Sequence, residues 1–121
     1  MGSSGPSDTP IMAFQLQQNA LLPLVARSMV LNIGYNRAKD IFSSPQGYET
    51  EMIRMCCAVK GLAGWNFEHV STVCRERCGG GSYTAHSRIH EGIQTSHSAM
   101  TAEGDNRVLM QKIVKDILSD M

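Results

Sequence analysis

Two stretches of about thirty residues, each with apolar side chains at helical spacing, confine this chain to a helical fold. The first covers residues 10–42 and carries Leu16, Leu21, Leu24, Val25, Met29, Leu31 and Ile33. Pro23 falls inside it and is expected to kink the helix or mark a first turn, because proline has no N–H to give the ladder. Ser43, Ser44, Pro45, Gln46 and Gly47 then supply turn chemistry. The second stretch, residues 48–78, has an apolar stripe of Met52, Met55, Cys56, Val59, Leu62, Ala63, Phe67, Val70, Val73 and Cys74. Glu49 and Glu51 near its start suit the positive end of the helix dipole. Gly61 and Gly64 cost roughly 1 kcal/mol each against Ala in a helix interior. Such positions mark places where another helix can come close.

Gly79, Gly80 and Gly81 stop the second helix, since glycine enters left-handed conformations cheaply. Residues 82–102 are polar, hold His86, His90 and His97, and lack a sustained apolar period. An ordered loop is expected there, long enough to suggest a function. A further helix starts near Asp105, with Val108, Leu109, Ile113, Ile117 and Leu118 on one face and Asp105 and Asn106 as N-cap residues. No alternating strand pattern, internal repeat or coiled-coil register appears. The expected fold is all-α: a long antiparallel helix pair plus a third helix. That is short of a complete four-helix bundle and leaves apolar surface for a partner.

Composition removes several functions. The 121 residues suit one domain, and 42% apolar with 18% charged residues exclude a disordered chain. The 11 basic and 11 acidic side chains cancel, so no field steers nucleic acid or an anionic membrane toward the protein. No window approaches eighteen uninterrupted apolar residues, so no membrane span is expected. Residues 1–9 read as a flexible or cloning-derived tail rather than a signal peptide, leaving 10–121 as the domain. Cys56, Cys57, Cys74 and Cys78 lie in helical patterns, without the loop-borne pairs of a structural zinc site. They are expected to be buried, reduced thiols of an intracellular protein, with no metal. The loop histidines read as solvated side chains.

The chemistry is concentrated in two segments. Residues 74–83 read Cys-Arg-Glu-Arg-Cys-Gly-Gly-Gly-Ser-Tyr, and residues 101–109 read Thr-Ala-Glu-Gly-Asp-Asn-Arg-Val-Leu. Taken alone, the glycine run is a helix C-cap and Glu103 is part of a helix start. Together, and in this order, they resemble the C-terminal helical region of flavin-dependent acyl-CoA oxidases. There a Cys-Gly-Gly-His-Gly-Tyr type loop is followed by Glu-Gly-Asp-Asn or Glu-Gly-Glu-Asn. The resemblance extends over residues 11–118. Phe-Gln-Leu-Gln-Gln at 14–18 and Leu-Pro-Leu-Val-Ala-Arg at 22–27 are similar to an oxidase stretch with Tyr-Gln-x-Gln-Gln before Leu-x-Pro-Leu-Leu-Ala. Lys-Gly-Leu-Ala-Gly-Trp at 60–65 resembles the segment preceding the Cys-Arg-Glu motif. Related dehydrogenases more often carry Gln before their Gly-Gly loop and Glu-Gly-Thr around the base; here Glu76 and Asp105 stand at those positions.

The resemblance implies conversion of an acyl-CoA to the 2-enoyl-CoA, with oxygen reduced to hydrogen peroxide. Glu103 would be the base that removes the proton beside the thioester carbonyl. Gly79, Gly80 and Gly81 would lay their backbone against FAD, often that of a neighbouring subunit. Gly104, Asp105 and Asn106 would meet a flavin phosphate or ribose near the free amides of a helix start. Gly81 stands where His is usual and Ser82 where the loop's last Gly is usual. A left-handed Ser82 would be strained by about 1 kcal/mol or more. Also implied are a homo- or hetero-oligomer, an acyl-CoA substrate and a peroxisomal location, although residues 119–121 are not the Ser-Lys-Leu address. Complete oxidases add an N-terminal helical domain and a central β domain. This chain alone is therefore expected to hold neither FAD nor acyl-CoA tightly and to be inactive. The alternative is an oxidase-derived helical module with a structural role in a larger complex.

Overall fold

The computed structural model describes residues 9–44, 46–47 and 49–121. Residues 1–8 of the tail expected over 1–9, Pro45 of the turn and Tyr48 at the second helix start lie outside the described residues. Among the described residues four α-helices form: α1 (Gln15–Ser43), α2 (Glu49–Arg77), α3 (Ile89–Thr101) and α4 (Asn106–Ser119). Short 3-10 turns cover Ile11–Ala13, Gly79–Tyr83 and Ala85–Ser87. No strand occurs among the described residues, and no helix is long and apolar enough to cross a membrane.

The first helix begins later than its apolar pattern suggests. Phe14 is extended, at φ −85° and ψ 129°, and separates the opening 3-10 turn from α1. Gln18 closes that entry by donating its side-chain amide to Met12 O at 2.8 Å. Pro23 lies inside α1, so it does not mark a first turn. The helix spans eight residues before it and twenty after it, enough cooperative structure to absorb one missing N–H.

Helix α2 is the spine against which α1, α3 and α4 all pack. Gln17 donates to Arg77 O at 3.0 Å, and Asn66 donates to Ser28 Oγ at 3.1 Å. Moving forward along α1 therefore moves backward along α2 by the same amount, an antiparallel pair. The same logic orients the other two helices. Gly92 faces Ser71 and Ala99 faces Gly64, so α3 runs antiparallel to α2. Asn106 bonds Gly61 O and Arg54 bonds Asp116 O, so α4 does too. Helices α3 and α4 thus form one interrupted rod along α2, broken between Thr101 and Asn106.

The existence of α3 overturns the expected loop over residues 82–102. Its inward face is Ile89, Gly92, Ile93, Ser96, Ala99 and Met100, a good 3.6-residue period made half of small residues. Ser96 is fully buried and bonds Ile93 O at 2.6 Å. A Cβ on Gly92 would stand 3.0 Å from Ser71 Oγ and 3.5 Å from Phe67 Cε2. Small residues let the two backbones approach, so dispersion contact replaces bulky knobs. His90 and His97 accordingly sit on a helix, His86 in a 3-10 turn, and no metal-binding cluster exists among the described residues.

The core is thin. Leu24, Ala38 and Ile41 are the buried hydrophobic side chains of the described residues. A second apolar stripe on α1, Leu22, Val25, Met29 and Ile33, is exposed, as are Leu62 and Phe67 of the expected α2 stripe. The cysteines also depart from expectation. Cys56 and Cys78 are exposed, and Cys57 and Cys74 are half-buried, because α2 turns only part of its circumference toward the other helices. Burial pushes the Cys74 thiol above its ordinary value, and nearby Cys78 adds to the effect.

Candidate functional site at the break between two helices

The interruption of the α3–α4 rod is built from Ala102, Glu103, Gly104 and Asp105. Helix α3 ends as Ala102, extended at ψ 142°, donates its N–H to Ser98 O at 3.0 Å. Glu103 follows at φ 57° and Gly104 at φ 109°. Left-handed backbone is natural for Gly104, but it strains a residue with a Cβ by about 1 kcal/mol. Among the described residues, only Arg88 and Glu103 adopt it without being glycine. Asp105 then starts α4: its Oδ1 accepts from Arg107 N at 2.9 Å and Val108 N at 3.2 Å. Of the two expected N-cap residues, Asp105 caps the helix and Asn106 is its first residue; two amides that could meet a phosphate are already engaged.

Asn106 is the anchor of the break. It is 2% exposed, donates to Gly61 O at 3.2 Å and accepts from Lys60 Nζ at 2.7 Å. The Lys60 ammonium also donates to Gly104 O and lies 3.5 Å from Met100 O. Glycines at 61 and 64 make room for this. A Cβ on Gly64 would stand 3.1 Å from Asn106 Nδ2, and one on Gly61 only 2.6 Å from the Met110 Cε.

Glu103 is exposed and helps line an open cleft of about 460 Å³ with Lys60, Ala63, Gly64, Phe67, Ala99 and Ala102. Its walls are mostly small and apolar, with one carboxylate and one ammonium at the rim. That combination can seat an uncharged chain segment while a carboxylate reaches a proton on it. If the left-handed turn strains Glu103, Glu103→Gly should raise the thermal unfolding midpoint. The expected net gain is about 0.5 kcal/mol after the extra freedom of glycine in the unfolded chain. Circular dichroism melting reads this directly, and a lowered midpoint would contradict the strain.

The glycine segment is elsewhere. Helix α2 ends at Arg77, and Gly79–Tyr83 curls into a 3-10 turn, with only Gly79 left-handed at φ 63°. Gly80 and Gly81 end the helix without positive φ, because the 3-10 turn reverses the chain in their place. Ser82 is not left-handed either, so the anticipated strain is absent. It is 4% exposed, and its Oγ lies 2.6 Å from both Arg75 O and Gly79 O. The single hydroxyl proton of serine is shared between Arg75 O at the end of α2 and Gly79 O just beyond it. From Gly64 to this turn is roughly 20 Å along α2 at 1.5 Å per residue. The fold thus brings Glu103, Gly104, Asp105 and Asn106 together and holds Gly79, Gly80 and Gly81 apart from them.

Comparison with known proteins decides the family. The model of the acyl-CoA oxidase C-alpha1 domain matches residues 2–118. The chain belongs to the acyl-CoA oxidase family. It is 28% identical, over 94% of its length, to Acyl-coenzyme A oxidase 2, peroxisomal, of Arabidopsis thaliana. Identity to Peroxisomal acyl-coenzyme A oxidase 3 of Homo sapiens is 27% over 92% of the chain. With Peroxisomal acyl-coenzyme A oxidase 1 of Rattus norvegicus it is 28% over 89%. In each case the chain spans 18% of the relative's length. No solved structure matches. The match lies in the family's C-terminal helical region, and the described residues are all-α as expected.

Two site features escaped the motifs. Lys60, within the oxidase-like segment 60–65, holds the break from the side, and Ser82 closes the end of α2. A lysine inside an otherwise apolar and glycine-bearing stretch was the available signal for the first. Ser82 gave none beyond its departure from glycine.

Proposed function

We propose that this chain is the base-bearing helical segment of an FAD-dependent acyl-CoA oxidase acting in fatty acid β-oxidation. The observation that carries the proposal is Glu103, held left-handed at a helix break and facing a cleft lined by small apolar side chains. Glu103 takes the proton from the carbon beside the thioester carbonyl and becomes the neutral acid. Gly104 supplies the left-handed backbone beside it and lets Leu109 pack against the turn. Bound FAD would supply the chemistry this chain lacks, accepting hydride from the next carbon and passing electrons to oxygen to give hydrogen peroxide.

The residues present fit FAD as an edge, not as an enclosing pocket. Nothing lies within 4 Å of where a Cβ would stand on Gly79, Gly80 or Gly81, so this turn offers bare backbone to a flat or phosphate-bearing group. Its distance from Glu103 suits contact with FAD that reaches across, or with that of another subunit. Gly104 belongs to the same contact set. Asp105 and Asn106 contribute by shaping the turn, since their side chains are committed to α4 and α2. The acyl-CoA substrate, the remaining oxidase domains and a homo- or hetero-oligomer complete the assembly, in the peroxisome where the named relatives reside.

The exposed stripe Leu22, Val25, Met29 and Ile33 supports a second reading, a helical module whose task is assembly. Gel filtration with FAD tests both. The chain alone should elute colourless and release no peroxide from acyl-CoA. With the remaining oxidase domains supplied, it should elute yellow and produce peroxide. A yellow stoichiometric complex from the chain alone contradicts the partial site. A yellow assembly that yields no peroxide from any acyl-CoA favours the assembly module.

A further inference from the structure

We propose that Lys60 is a positioning residue that sets the conformation of Glu103 by clamping the break between α3 and α4. The break leaves carbonyl oxygens without the N–H partners a continuous helix would provide. An ammonium has three donors and no acceptor. Lys60 Nζ faces three acceptors: Asn106 Oδ1 at 2.7 Å, Gly104 O, and Met100 O at 3.5 Å. These acceptors straddle Glu103, one in the last turn of α3, one on the next residue and one at the start of α4. The positive charge also meets the negative end of the α3 dipole.

Asn106 anchors the start of α4 to Gly61 O, and Leu109 packs against Gly104, but neither reaches back to α3. Glu103 sits in a backbone region its Cβ disfavours, and among the described residues its carboxylate has no hydrogen-bond partner. Asp105 fixes only the α4 side of the break. Among the described residues, Lys60 alone reaches acceptors on both sides. Without its donors the flanking carbonyls turn to water, and Glu103 can relax into an ordinary negative-φ conformation. Its side chain then leaves the cleft rim it shares with Lys60. The stem of Lys60 arises from α2, so the clamp ties the turn to the helix against which the other three pack.

The catalytic meaning of this clamp rests on Glu103 being the base; the clamp itself does not. Nuclear magnetic resonance of the full chain reads the backbone of Glu103 through its Cα shift and its HN–Hα coupling. In Lys60→Met the positive-φ signature of Glu103 should disappear while α2 and α4 stay helical. In Lys60→Arg, which keeps donors and charge, the signature should persist. A folded Lys60→Met chain that keeps it overturns the proposal. If Lys60→Met does not fold, Lys60→Arg decides: signature kept supports the clamp, and signature lost in a folded chain overturns it.

Kinetics of the flavin-loaded assembly then separate this inference from the reading of Glu103. Lys60→Met should lower kcat about 10²-fold with KM nearly unchanged, because a misplaced base costs rate rather than binding. Inactive Glu103→Gln together with fully active Lys60→Met refutes positioning. Fully active Glu103→Gln retires the base and leaves the resonance result standing as a structural one.

Discussion

Glu103→Gln in a flavin-loaded oxidase assembly should lower turnover by about 10²–10⁴-fold, the range a positioned general base contributes. The substitution keeps the size and planar shape of the side chain and removes only its ability to accept a proton. The fold should not notice. Glu103 is exposed and its carboxylate is no part of the cap, which Asp105 supplies. Melting temperature and flavin content should therefore match the parent while peroxide release collapses. An accompanying loss of flavin would mean that Glu103 holds the site together, and the simple base role would be wrong.

Asn106→Ala should be the most damaging of the small substitutions to stability. Asn106 is 2% exposed and joins two helices through Gly61 O and Lys60 Nζ. Alanine removes the acceptor of a charged donor, empties the space beside Gly64 and deletes the donor to Gly61 O. A hydrogen bond to a charged group is worth about 1.5–3 kcal/mol, and a partial cavity adds to that. The net loss should be about 2 kcal/mol, lowering the midpoint by roughly 8 °C for a chain of this size. Asn106→Asp should cost less, because a carboxylate still accepts from Lys60. If Asn106→Ala melts within a degree of the parent, the buried side chain contributes far less than its bonds imply.

Much of the fold was legible in the sequence because two of its signals are local. The start of α4 follows from Asp105, whose short carboxylate can reach the amides two and three residues on. The end of α2 follows from Gly79, the one glycine of its run that uses a left-handed backbone. Helix α3 was hidden because its packing face alternates Ile and Met with Gly92, Ser96 and Ala99. A count of large apolar residues passes over such a face, although the period is helical once small residues are included. The two apolar stripes of α1 also merged in the sequence. Leu24, Ala38 and Ile41 turn inward, whereas Leu22, Val25, Met29 and Ile33 turn outward.

The site was legible to a different degree. Glu103 and its neighbours form a contiguous motif, so their proximity needed no tertiary information. Lys60 stands forty-four residues before Gly104, and no local pattern announces that it will meet that carbonyl. The separation of Gly79 from Glu103 was equally invisible. Only the antiparallel course of α3 and α4 along α2 places the two motifs at different heights.

A direct test of the account is proton exchange at the carbon Glu103 is proposed to attack. A 3-thia-acyl-CoA has sulfur in place of the carbon that would lose hydride, so only the α-proton can leave. Incubated in D2O with the flavin-loaded assembly, this analogue should gain deuterium beside its carbonyl when Glu103 is present. Exchange should fall to the enzyme-free rate in Glu103→Gln. Deuterium uptake by Glu103→Gln at the parent rate would assign the proton to another base.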